Sequence, residues 1–289
     1  MAPRGLIVAE EQRVKDVMTK DPIVATLPGN RTDVLRILVT NKITGVPVIG
    51  SDGTYAGFVA RKHIFARPEE EQLALLVQRD YPVVSPDTPL QDLARTLVEE
   101  RVYHATVKEN SHVVGIVTPA DFLGIVDKKR LEAPVEEFLT STAVAVYEGT
   151  PIQTANTIMA IAKVFALPVL DDHGRLSGII TDRDVFGLSR VDGSAAIHDM
   201  GLVQEDDSWS WEGLRNVMRL YYDVEKVELP DMTVKEVMVR DVVTVSTKTG
   251  VSEAARTMRK NDYGQLPVMN PHNRLEGLLT ELDVLGCLL

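Results

Sequence analysis

Apolar runs and amphipathic stretches alternate along this chain in one recurring order. Pro22-Ile23-Val24-Ala25-Thr26 is an extended apolar stretch, and Thr32 to Asn41 then carries Val34, Leu35, Ile37 and Leu38 at helical spacing. Val46-Pro47-Val48-Ile49 follows as a strand, Ser51-Asp52-Gly53 as a turn and Ala56 to Ala60 as a second strand, with His63 to Phe65 in a closing helix. Spacing of i, i+3 and i+4 marks a helix face, whereas short apolar runs between Gly, Asp and Pro mark strands. The unit is therefore strand, helix, strand, strand, helix, in roughly 55 residues.

The unit is written four times. Gly178-Ile179-Ile180-Thr181-Asp182-Arg183-Asp184 closes the third copy, and the phrase returns as Gly115-Ile116-Val117-Thr118-Pro119-Ala120-Asp121 and Gly277-Leu278-Leu279-Thr280-Glu281-Leu282-Asp283. Gly57-Phe58-Val59-Ala60-Arg61-Lys62-His63 keeps the frame but lacks both Thr and Asp. Asn30, Pro89, Pro151 and Gly250 each open a helical segment, and Leu90, Leu93, Ala94 and Leu97 form the inner face of the second. Successive Gly anchors lie 58, 63 and 99 residues apart, so the third interval holds an insertion of roughly 40 residues, at about 190–231. There Trp211, Leu214, Met218 and Tyr221 share one face of an expected helix, which either packs back on its own module or offers a docking surface.

Thr-x-x-Asp has two chemical readings. In a capping box, the hydroxyl caps the helix and the acid reaches back to a backbone N–H. In a ligand site, the carboxylate of Asp121, Asp184 or Asp283 accepts two hydrogen bonds from a ribose diol. Thr118, Thr181 and Thr280 then stand at helix starts, where a hydroxyl and backbone N–H groups receive a phosphate. The two roles are compatible. Because the first copy has Ala60 and His63 at these places, the frame is expected to fold without the box, and Arg61-Lys62-His63 reads as a solvated basic face.

Composition narrows the classes. The 289 residues carry a formal net charge of −11 and are 44% hydrophobic, enough apolar material for real cores. That balance argues against nonspecific binding to nucleic acid or to an anionic membrane surface. The lone Cys287 allows no internal disulfide and no zinc site of several thiolates. No apolar run is long enough for a signal peptide or a bilayer span, and a cytoplasmic location is expected. His104, His112, His173, His198 and His272 are scattered and read as solvated; no Ser/His/Asp, Cys/His or metal cluster recurs in the frame.

The β-α-β-β-α unit, opened by Lys15-Asp16-Val17-Met18-Thr19 and Lys235-Glu236-Val237-Met238 and closed by Gly-h-h-Thr-x-x-Asp (h apolar), resembles the CBS domain. The resemblance runs from about residue 14 to the end, outside the insertion. It implies an α+β fold of four CBS repeats paired into two modules, 14–130 (repeats one and two) and 131–289 (repeats three and four). The layout is similar to that of the gamma subunit of AMP-activated protein kinase and of stand-alone four-repeat CBS proteins of archaea and bacteria.

Such proteins bind adenosine-containing ligands between paired repeats. The resemblance thus implies AMP or ADP, with ATP as a competitor and S-adenosylmethionine as an alternative, and no required cofactor. It assigns the base to Ser85 with Val84 and Ala105, to Tyr147 with Val146 and Leu167, and to Ser246 with Val245 and Leu266. His104 and Arg183 are the implied phosphate cations; the first site, without its acid, is expected to be empty or rebuilt. The expected function is non-catalytic: a nucleotide sensor acting on an unidentified regulated protein, with a homodimer through the CBS modules as one arrangement. The alternative is a structural adaptor with vestigial clefts.

Overall fold

In a computed structural model, which describes residues 12–67, 70–140, 143–188 and 229–289, every repeat builds the same small sheet. Repeat one has β2 (Ala25–Thr26), α1 (Arg31–Thr40), β3 (Gly45–Ile49), β4 (Tyr55–Ala60) and α2 (Arg61–Phe65). The short strand β2 runs parallel to β3, which pairs antiparallel with β4. A parallel pair needs a crossover, and α1 supplies it. Asn30 caps α1 by accepting from the Asp33 N–H at 2.8 Å, and Pro89, Pro151 and Gly250 occupy the same N-cap place in the other repeats.

Repeat two contains β5 (Val83–Val84), α4 (Leu90–Glu99), β6 (Ala105–Glu109), β7 (His112–Val117) and α5 (Ala120–Lys129), after the short helix α3 (Leu73–Leu76). Repeat three has β8 (Val146–Tyr147), α6 (Ile152–Ala162), β9 (Ala166–Leu170), β10 (Leu176–Thr181) and α7 (Asp182–Leu188). Repeat four opens with α8 (Val234–Val237) and continues through β11 (Val245–Ser246), α9 (Val251–Asn261), β12 (Gln265–Met269), β13 (Leu275–Thr280) and α10 (Glu281–Gly286). The insertion up to residue 228, with its expected Trp-bearing helix, lies outside the described residues.

The lead-in segments do not stay with their own repeats. The turn at Val14–Asp16 and β1 (Thr19–Lys20) cross to repeat two, where β1 pairs with β7, Thr19 opposite Ile116. Repeat two returns the exchange: Gln78 bridges Phe58, and the Leu73 N–H donates to the Gly29 carbonyl at 3.1 Å. Val135 and Glu136 dock on repeat four through the carbonyls of Thr249 and Thr247. Val234 and Lys235 dock on repeat three through those of Thr150 and Glu148, and Val239 bridges Ile179.

This exchange explains the invariant Gly of the repeated phrase. A Cβ on Gly178 would stand 2.5 Å from Sδ of Met238 and 2.9 Å from the Val239 carbonyl oxygen. On Gly115 it would meet Met18 Sδ at 2.7 Å, and on Gly277 Leu139 Cδ1 at 2.9 Å. The lead-in segment lies against each hairpin so closely that an added side chain would collide with it, with a backbone carbonyl at Gly178 and with side-chain atoms at Gly115 and Gly277.

The chain divides into two compact units: residues up to Ala143 together with Asp241–Leu289, and Val144–Arg240. In the first, α5 packs on α9, and α10 on α4 and α5. Leu90, Leu93, Ala94 and Leu97 point inward as their spacing predicts, and meet Phe122, Val126, Ala254, Met258, Leu282 and Leu285 in one core. Each fully buried large apolar side chain stabilises the fold by about 1.5–3 kcal/mol. Polar clasps fix the register: Asp127 accepts from Arg256 at 2.9 Å and Arg259 at 2.7 Å, and Ser252 donates to the Val126 carbonyl at 2.6 Å. In the second unit, Ile152, Ala155, Met159, Leu167, Val169 and Ile180 close over Val234 and Met238.

Between repeats one and two the core is aromatic. Phe58 stacks on Tyr81 at 4.4 Å, His104 tilts against Phe58 at 4.9 Å, and His63 meets Tyr81 edge-on at 5.8 Å. His104 is buried, with Nε2 2.6 Å from the Thr44 hydroxyl, so it is not the solvated histidine that its place in the sequence suggests. Nor is Arg61-Lys62-His63 a solvated basic face, because Arg61 is buried and His63 half-buried. Burial, aided by the charges of Lys62, Arg61 and the neighbouring His63, pushes His104 down to about 3. Burial with Lys62 and Arg67 pushes His63 down to about 4.

Two predictions follow from this packing. Gly178→Ala is expected to lower stability by about 1–3 kcal/mol in urea unfolding, the scale of overpacking, since the backbone of Val239 cannot move aside as a side chain can. No loss would mean that the lead-in segment is not seated on the hairpin. The second concerns acid. The folded protein holds His104 neutral while the unfolded chain protonates it near 6.5, so stability is lost as pH falls below about 6.5. His104→Gln should flatten the stability profile between about pH 6 and 4 by up to about 1.4 kcal/mol per pH unit; an unchanged slope in urea titrations would refute the burial of a neutral imidazole.

Candidate functional site

The Thr-x-x-Asp phrases all sit where a hairpin strand turns into a helix; those of repeats three and four form reciprocal capping boxes, whereas in repeat two Asp121 reaches back to Thr118 and no side chain caps the helix in return. The Thr118 N–H donates to Oδ2 of Asp121 at 2.7 Å and its hydroxyl to the same oxygen at 3.1 Å. In repeat three, Thr181 gives the corresponding bonds to Asp184 Oδ2 at 2.8 and 2.7 Å. Thr280 repeats them on Asp283 Oδ2 at 2.8 and 2.6 Å. The degenerate copy rebuilds half of the box, for the Ala60 N–H donates to Nδ1 of His63 at 3.0 Å. The first frame therefore keeps a cap in place of dispensing with one.

The second oxygen separates the three acids. No described residue bonds Oδ1 of Asp121 or Asp184, and both residues are half-buried. Burial raises the Asp121 pKa against the two Thr118 hydrogen bonds. Asp283 is different: it is buried, and Oδ1 accepts from the Thr140 N–H at 3.3 Å and from the Thr140 hydroxyl in a short bond. All its acceptor sites are thus committed to Thr280 and Thr140. Tyr103 adds to this crowding. Burial pushes its hydroxyl up to about 12, opposed by a hydrogen bond with Thr280.

The residues assigned to the base divide in the same way. Ser85 and Ser246 are exposed, and each N–H is held at 3.0 Å by a turn hydroxyl, Thr88 or Thr249. Ala105, Leu167 and Leu266 belong to the apolar cores, with Val146 and Val245 almost as deep. Tyr147 is 50% exposed and donates to Asp172 Oδ1 at 2.6 Å, its ring folded over Gly149. Arg183 is exposed beside Asp184, whereas His104 is withdrawn into the aromatic core between repeats one and two. The structure thus keeps Thr181, Arg183 and Asp184 together at one helix start and Thr118 with Asp121 at another.

Thr140 is the participant that sequence reasoning missed. Its position after Leu139 matches that of Thr19 after Met18, as the close approaches to Gly277 and Gly115 show, so the shared Thr was a visible signal. Its bond to an acid 143 residues away was not. Among the described residues no group of His, Cys, Asp and Glu could hold a metal ion, and no helix is long and apolar enough to cross a membrane.

Comparison with known proteins agrees with this architecture. The chain aligns with protein MJ1404 of Methanocaldococcus jannaschii at 24% identity, over 94% of its own length and 61% of that protein's. Protein MJ1225 of the same organism is 22% identical over 63% of this chain and 71% of its own. The crystal structure of MJ1225, described as a candidate archaeal homologue of g-AMPK, superposes with a TM-score of 0.77 at 20% identity, over 95% of this chain and 99% of that one. A conserved protein of Pyrococcus horikoshii matches at 26% identity and a TM-score of 0.63, over 96% of this chain and all of that one. The CBS domain pattern itself matches four times, at residues 14–70, 74–128, 135–190 and 234–289, the same four units that the exchanged lead-in segments and capped hairpins define, and the chain belongs to the CBS domain family.

Proposed function

We propose that this protein is a non-catalytic regulatory protein that binds an adenosine-containing ligand, AMP or ADP with ATP as a competitor, at the helix starts bearing Asp184 and Asp121. One observation carries the reading: at each of these boxes a single carboxylate oxygen caps the helix, and no described residue bonds the other. An ionised carboxylate is acceptor-only, and a cis-diol is a donor pair of matching spacing. Arg183, exposed at the same helix start, supplies positive charge beside the N-terminal dipole for a phosphate. S-adenosylmethionine satisfies the same acid through its ribose without needing that charge.

The binding units in this reading are the modules 14–130 and 131–289, whose repeats exchange their lead-in segments. A ligand held where those segments meet the hairpins would shift their packing in proportion to its differential affinity for the two states. An unidentified regulated protein would read that shift in the cytoplasm, with self-association through the modules as an arrangement of the assembly. A second reading has its own support. The junction of repeats one and two is filled by Phe58, Tyr81 and His104, and Asp283 is capped from both sides, features of an adaptor whose clefts have closed.

Calorimetry and thermal shift with AMP, ADP, ATP and S-adenosylmethionine separate these readings. A sensor at 100 times the dissociation constant gains about 2.7 kcal/mol, and an adaptor gives no response to any of the four. For Asp184→Asn, ribose binding predicts an affinity loss of about 1.5–3 kcal/mol, the scale for hydrogen bonds to charged groups, in addition to whatever the ligand-free protein loses with the cap bonds to Thr181. Were Asp184 only a cap, stability alone would fall, by up to about 1 kcal/mol, and nucleotide affinity would stay where it was.

A further inference from the structure

Thr140 and Thr19 hold the same place in two lead-in segments, each immediately after the residue that passes over the hairpin Gly. Their surroundings differ in one respect. Thr19 is exposed and, among the described residues, its hydroxyl bonds nothing; Asp121 on the hairpin below keeps Oδ1 open. Thr140 is also exposed, yet its N–H and hydroxyl both point into Oδ1 of Asp283, which is only 2% exposed. One fold thus contains the same pair of residues in an open and a closed arrangement.

From this contrast we infer that Thr140 is an intramolecular latch on the repeat-four acid, occupying it in place of a ligand's diol. Two donors on one carboxylate oxygen are the number that a cis-diol supplies, so the latch and the diol compete for the same lone pairs. Thr140 lies at the surface, at the end of the lead-in segment that reaches repeat four through Val135 and Glu136. Its side chain is exposed, whereas that of Asp283 is buried. A ligand that requires the open state binds with an apparent affinity reduced by the fraction of molecules that are open. Asp283 is on this account a conditional site, closed while the lead-in segment that carries Thr140 rests on repeat four, and Asp184 and Asp121 are the sites open from the start. The inference rests on the nucleotide reading given above.

The test uses the full chain with AMP as probe and 2′-deoxy-AMP as the control that lacks the diol. Thr140→Val removes the hydroxyl at an exposed position with little change in shape, and Thr140→Ser restores it. In calorimetry, Thr140→Val should bind one more equivalent of AMP than the wild type, or bind its weakest equivalent roughly tenfold tighter, the loss of one competing hydrogen bond to a charged group. Thr140→Ser should match the wild type, and the gain should vanish with 2′-deoxy-AMP and in the double variant Thr140→Val, Asp283→Asn. If the wild type binds AMP and Thr140→Val binds it with the same stoichiometry and affinity, the latch is wrong and the nucleotide reading stands. A gain that survives in the double variant also overturns the latch, because the new site would then lie elsewhere. If neither protein binds AMP at all, both ideas fall together.

Discussion

The close approach of each lead-in segment to a hairpin of its partner repeat is the contact on which the rest depends. A repeat by itself is a three-stranded sheet with two helices, one strand of it only two residues long. Short strands of this kind are marginal alone. The partner's lead-in supplies backbone hydrogen bonds and an apolar side chain across the hairpin, and the Gly makes room for it. Met18, Val77, Leu139 and Met238 fill this role at Gly115, Gly57, Gly277 and Gly178. Neither repeat is complete without the other, so pairing belongs to the folding of the unit itself.

The same geometry sets the position of the candidate sites. Three of the lead-in segments cross a hairpin that ends in a Thr-x-x-Asp phrase, and in repeat four the residue after the crossing, Thr140, reaches the capping acid. Whether that residue engages the acid decides whether a carboxylate faces solvent or is consumed. Helix capping and ligand binding are therefore not exclusive roles for one aspartate. A carboxylate has two oxygens, and the cap needs only one of them. The relevant question at each box is who takes the other.

Burial of polar side chains shows how far the four repeats have diverged within one frame. Where repeats two, three and four use an acid to close the helix start, repeat one uses the neutral His63 and sets it against Tyr81. Arg61 and His104 are buried as well, and the His104 ring lies against Phe58. The imidazoles stay neutral because a buried charge without a counter-charge is costly, and the cations nearby oppose it further. The resulting junction is a packed aromatic core at the place where a nucleotide-binding cleft was expected to be empty or rebuilt.

Local chemistry was legible in the amino-acid sequence. The fourfold period, the N-cap positions at Asn30, Pro89, Pro151 and Gly250, the inner face of α4 and the cap-forming potential of Thr-x-x-Asp all depend on residues within a few places of one another. Those patterns also carried the family resemblance, because the family is defined by its local frame. Tertiary structure decided what depends on distant contacts. Thr140 meets Asp283 across 143 residues, and the Thr44 hydroxyl meets His104 across 60. Tyr103 turns to Thr280 across a comparable distance in the chain. Periodicity says which face of an element is apolar; it does not say which partner will cover it. An aspartate at a helix start therefore reads the same in all three repeats, and only the packing of a segment from another repeat determines whether its second oxygen is left for a ligand.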